Sequence, residues 1–162
     1  MITVMDTSVL VNCSNGLVLA IVFQLPNRTF IIPPAVVTEF SLGDLTALQE
    51  ALASGRATIL NESEVPGALY LELLDEWGLG EGETECIAYA SHTGIHFSSD
   101  DGLARRRAAE LLGADRISGS LRLLKEAVEE SLLTNDEAFA AYERMRAAGG
   151  FLPAILREFF YA

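Results

Sequence analysis

Four short runs rich in β-branched or aromatic residues, ITVM at 2–5, TFII at 29–32, ATIL at 57–60 and IHFSS at 95–99, alternate with longer stretches of helical apolar spacing. Such alternation implies an α/β domain around a parallel sheet, since parallel neighbours need a crossover long enough to hold a helix. Helices are expected from about Ser8 to Leu25, from about Ala35 to Ser54, through LYLELLDEW, through ETECIAYASHTG, and through DDGLARRRAAELLG with Gly113 as its C-terminal cap. DRIS supplies a possible fifth strand. From Leu121 onward the pattern is helical, with Thr134 or Asn135 as an N-cap and Gly149-Gly150 as a stop. One domain over 1–162 is expected, with 121–162 a C-terminal helical extension packed on it.

Half of the chain is apolar, enough for a sizeable core without staples. Cys13 and Cys86 lack metal-ligand spacing and read as reduced core thiols. The apolar run LVLAIVF at 17–23 is far shorter than the roughly 20 residues a bilayer span needs. The N-terminus has no basic segment or small-residue cleavage site, so a cytoplasmic protein with no membrane partner is expected. The net charge of −12 opposes casual nucleic-acid binding, and any such role needs a locally basic surface. GLGEG neither follows a strand nor has dinucleotide-loop spacing, and no Gly-Lys-Ser/Thr follows it.

Ligands of open α/β sheets gather at the carboxyl ends of the strands. Asp6 ends the first strand run, and Asp100-Asp101 follow IHFSS. Each could equally cap the helix after it. Glu39 lies one turn after Ala35 and Val36 and is expected to face inward with them. Glu83 shares a stripe with Cys86, Ile87 and Ala90, so it is the inward candidate of its helix; Glu85 reads as a solvated residue. Both glutamates also suit the first turn of a helix on dipole grounds alone. Inward acids from separate parts of a chain repel one another unless a cation joins them, and an all-oxygen set favours magnesium or manganese over zinc. His92 and His96 flank the far end of the Glu83 helix, away from the strand tops.

MDTSVL, PPAVVTEF, GLGEGETECIAYA and FSSDDGLARRRAAELLG, in that order, together resemble the PIN-domain proteins of the VapC-like toxin ribonuclease group. ISGSLRLLKEAVEESLL resembles the branch in which a Gly-Thr/Ser-Leu turn opens a further helix. The resemblance implies a three-layer α/β/α fold with a central parallel sheet, and Mg²⁺- or Mn²⁺-dependent hydrolysis of RNA phosphodiester bonds. It matches Asp6, Glu39, Glu83 and Asp101 to the family's four catalytic, metal-holding acids, with Asp100 competing for the fourth place. Ser8 and Ser99 fall where family members carry hydroxyls beside the acids. Arg105, Arg106 and Arg107 are the candidate RNA-binding residues, with Arg122 and Lys125 extending a basic rim, although a solvated basic face explains any one arginine as well. A cognate antitoxin is the implied protein partner and a homodimer an open alternative.

Two other readings compete. A PIN fold acting only as a binding or scaffold module is one. An acid-cluster phosphohydrolase is the other, weakened because Ser8 stands where a dehalogenase-like motif needs a second Asp. The aromatic C-terminal segment is expected to pack on the domain's own core, with a dimer or antitoxin surface as the alternative.

Overall fold

The computed structural model describes residues 1–161. Its five-stranded sheet is wholly parallel, in the order β3-β2-β1-β4-β5. The strands are β1 (Ile2–Met5), β2 (Thr29–Ile32), β3 (Ala57–Ile59), β4 (His96–Ser98) and β5 (Ile117–Ser118). β1 is central, with β2 on one side and β4 on the other, so the winding reverses there and opens a crevice at the strand tops. Val4 pairs with Phe97 and Met5 with Ser98, and the Asp6 amide then donates to Ser98 O at 2.9 Å. That register puts Asp6 beside Ser99.

Helices cover both faces. On one side lie α1 (Thr7–Asn15), α2 (Leu19–Val22), α4 (Leu45–Ala53) and α8 (Ser120–Glu129), with α9 (Asn135–Ala147) packed on α1 and α8. On the other lie α5 (Gly67–Trp77), α6 (Glu81–Thr93) and α7 (Gly102–Leu112), while α3 (Pro34–Glu39) touches both α1 and α6 at the edge of the crevice. These are the three layers that the PIN-domain resemblance implied. Val4, Met5, Ile32 and Phe97 fill the sheet's share of the core, against Val9, Leu10, Ile87, Ala104 and Leu124 from the helices.

Three local expectations change. The Ser8–Leu25 helix is two helices, because Leu17 adopts φ +59° between them. Glu39 is exposed rather than core-facing: α3 is six residues long, and Phe40 just beyond it takes the buried place. The chain after α9 is not helical up to its end; only Arg157–Phe160 forms a 3₁₀ turn. The Tyr142 hydroxyl pins this segment, donating to Pro153 O at 3.0 Å and accepting from Ile155 N at 3.1 Å. Phe160 is buried, whereas Phe151 is 96 % exposed, so the C-terminal aromatics divide between core and surface. Thr134 is the N-cap of α9, in a capping box with Glu137. No helix among the described residues is long and apolar enough to cross a membrane.

Candidate active site

Asp6 ends β1 and caps α1, accepting from Thr7 N at 2.7 Å through Oδ1. Its Oδ2 accepts from the hydroxyls of Ser8 at 2.6 Å and Ser99 at 2.7 Å. Those serines are themselves oriented by main-chain donors: Asp100 N donates to Ser8 Oγ at 2.9 Å and Asp101 N to Ser99 Oγ at 3.1 Å. The loop after β4 therefore sets the angle of the β1 carboxylate. Asp6 is 1 % exposed, and this burial pushes its carboxyl above the ordinary value, with the nearby Glu39 charge adding to the rise against the three hydrogen bonds.

The other acids surround it. Glu39 accepts from the Thr7 hydroxyl and, through Oε1, weakly from Gly82 N at 3.4 Å. α6 approaches Glu39 so closely that a Cβ at Gly82 would stand 2.9 Å from Glu39 Oε2. Glu83 folds back on its own helix start, accepting from Gly80 N at 3.0 Å. Its carboxyl is raised by burial and by the charges of Asp6, Asp101 and Glu39, against the pull of that amide. Asp101 caps α7, accepting from Ala104 N at 2.7 Å. Asp6, Glu39, Glu83 and Asp101 thus share one electrostatic field. As the side chains stand, no three His, Cys, Asp or Glu groups among the described residues are close enough to hold a metal ion. The donor chemistry nonetheless fits a hard cation: the four side chains offer carboxylate oxygens alone, and Asp6 Oδ1 carries only one hydrogen bond, which leaves it acceptor capacity.

Asp100 turns away from this group. Its Oδ1 accepts from Ser120 N at 2.8 Å and its Oδ2 from Asn12 Nδ2 at 2.7 Å and from the Ser120 hydroxyl, tying the β4 loop to α1 and to the start of α8. Gly119 permits that approach, since a Cβ there would stand 2.5 Å from Asp100 Oδ1. Asn12, Ser120 and Thr7 are the parts of the site that sequence reasoning missed. Asn12 had a signal: it lies four residues after Ser8, on the same face of α1, as the one amide within the apolar run VLVNC.

The three arginines separate. Arg107 lies 5.5 Å over the Trp77 ring and pairs with Glu110, Arg105 donates to Ser99 O at 3.4 Å, and Arg106 reaches back over Gly102 at the start of α7. Glu85 is not simply solvated: it is half-buried and accepts from Ala35 N at 3.1 Å at the start of α3. Burial and the charges of Glu62, Glu81 and Glu39 raise its carboxyl despite that bond. His92 is exposed at the bottom of the sheet, and His96 opens β4 there. Both cysteines are free and buried, and burial pushes the Cys13 thiol up to about 12.

A family model described as a PIN domain matches residues 2–160. No curated protein and no solved structure matches the chain.

Proposed function

The chain belongs to the PIN-domain family, a nuclease-type fold, and on that premise we propose that it is a Mg²⁺- or Mn²⁺-dependent endoribonuclease and the toxin of a VapC-like toxin-antitoxin pair. One observation carries the reading: Asp6 is an almost fully buried carboxylate at the sheet's switch point, held in the field of Glu39, with Glu83 raised first by its burial and then by the charges of Asp6, Asp101 and Glu39. A carboxylate so placed is unfavourable without a compensating charge. Asp6, Glu39, Glu83 and Asp101 are the residues we assign to hold the cation. Asp100 is assigned to positioning, because its oxygens are engaged by Asn12 and Ser120. When bound, a divalent cation supplies a nucleophilic water at neutral pH and offsets charge on the leaving oxygen. The chain's own part is to fix the acids: Ser8 and Ser99 orient Asp6, Thr7 orients Glu39, and Arg106 offers an exposed cation to an arriving phosphate. The net charge of −12 suits a basic antitoxin as the protein partner.

The test is cleavage of a mixed single-stranded RNA pool in manganese, beside Asp6→Asn and a chelator control. Manganese-dependent cuts that vanish in the variant support the assignment. A second reading, a metal-free binding module, is favoured by the caps that Glu83 and Asp101 already make. Manganese separates the two. At a hundredfold excess over its Kd it should stabilise the wild type by about 2.7 kcal/mol and Asp6→Asn by far less, whereas a metal-free module melts unchanged. The toxin assignment predicts that expression arrests growth and that a small protein encoded beside it restores growth.

A further inference from the structure

A groove of about 430 Å³ opens between the starts of α7 and α8 and the C-terminal segment, with Asp100, the chain neighbour of Asp101, in its wall. Arg105, Arg122 and Lys125 line it, three of the eleven basic residues in a chain with 23 acids. Glu126 and the charge of Glu129 balance part of Arg122, whereas Arg105 and Lys125 make no salt bridge among the described residues. Glu126 is shared by Arg122, at 2.8 Å, and by Arg28, which grips it at 2.5 and 2.7 Å, so two guanidiniums face one carboxylate. Arg122 is the exposed one of the two, at 61 % against 4 %, and it is the one that lines the groove. Asp100 is already satisfied by Asn12 and Ser120. The aromatic part is equally specific. Phe151 and Phe159 complete the lining, Phe151 is almost wholly in water, and Lys125 Nζ lies 5.7 Å over the Phe159 ring.

We propose that this groove is a nucleotide subsite for single-stranded RNA, in which Phe151 stacks on a base while Arg122 and Lys125 hold phosphate. The proposal rests on the nuclease reading above and extends it by giving the substrate strand a path away from the acids. Cations interleaved with an exposed aromatic ring form the combination that binds single strands with little sequence preference. On an acidic molecule, a cation-rich groove also offers a polyanion a local attraction against the overall negative field.

The experiment measures fluorescence anisotropy of a labelled mixed-sequence RNA dodecamer with the chelated full chain, so that binding is read without cutting. Phe151→Ala should weaken binding roughly 5- to 100-fold and leave the salt slope intact, since it removes stacking alone. Arg122→Gln with Lys125→Gln should flatten the slope of log affinity against log salt by about 1.4, at about 0.7 per cation on a single strand. Arg56→Gln, at the opposite edge of the sheet, removes the same kind of charge and should change neither. All three side chains to be altered in the groove are at least partly exposed, and unchanged melting confirms that the variants fold. Groove variants that bind and cut RNA like the wild type overturn the subsite and leave the nuclease standing. A wild type that neither binds nor cuts RNA overturns both. Polyglutamate that binds in the groove where RNA does not would assign it to an acidic protein.

Discussion

Asp6 holds its position through two hydroxyls, each of which spends its lone pair on a main-chain amide and its proton on Oδ2. The chain of bonds has a direction, from the β4 loop through serine to carboxylate. Removing the Ser99 hydroxyl frees one side of Asp6 and leaves the Asp101 amide without its acceptor. Ser99→Ala should therefore lower manganese-dependent cleavage about 10- to 100-fold, the usual loss when a ligand's supporting bond is removed. Stability should fall by about 1–3 kcal/mol for the buried donor left unpaired, as denaturant titration would show. Full activity in this variant would mean that the Ser8 hydroxyl and the Thr7 amide hold Asp6 without Ser99.

At the scale of elements, the closeness of α3 and α6 sets where the Glu39 carboxylate stands. Gly82 lies near the start of α6 with ordinary helical backbone, where alanine normally adds about 0.5–1 kcal/mol of stability. Here the added Cβ would meet the Glu39 carboxylate, which is flexible and exposed enough to swing aside. Gly82→Ala should melt no lower than the wild type yet lose most of its cleavage, and Glu39→Gln added to it should cost little more, because both changes disable the same carboxylate. At the opposite end of the sheet, α8 is tied to the loop before β2 by Arg28, which donates to Thr3 and forks onto Glu126. Burial alone would raise Glu126; the bonds from Arg28 and Arg122 outweigh it, so its carboxyl is lowered in the fold. A lowered folded-state value means the stabilisation is present above the ordinary 4.5 and is lost as pH falls through the lower folded value. Glu126→Gln should cost about 3–5 kcal/mol at pH 7, where it strands a buried guanidinium, and the gap to wild type should narrow below the ordinary range. These element-level ties also mark the limit of what the sequence disclosed. The strands were legible because β-branched runs repeat between helical stretches, Asp6 because it ends a strand run, and the Asp100-Asp101 pair because it follows one, although that argument could not tell the two acids apart. The exposure of Glu39 was not, since a periodicity read over Ala35–Glu39 cannot reveal that α3 stops after six residues. The Asn12–Asp100–Ser120 knot joins residues up to 108 positions apart, and only the register of β1, β4 and β5 brings them together.

The whole molecule sets a long-range term against these local ones. A net charge of −12 repels RNA at distances where no single side chain matters, while the groove cations attract it only on close approach. Salt acts on the two differently. At low ionic strength the Debye length is about 30 Å at 0.01 M, comparable to the protein itself, and the whole acidic body is felt by an approaching strand. Near 0.15 M it falls to about 8 Å, so distant acids are screened while cations in contact with phosphate still act. Above that, counterion competition weakens the contacts themselves. Cleavage efficiency, measured as kcat/KM on single-stranded RNA at fixed free manganese, should accordingly rise and then fall with added salt, peaking at roughly 0.1–0.2 M. Replacing exposed acids far from the groove, such as Glu72 and Glu76 on α5, by glutamine should move the peak to lower salt without altering the high-salt limb. A monotonic fall from the lowest salt upward would show that the local cations dominate at every distance, and that the acidic body plays no part in admitting the substrate.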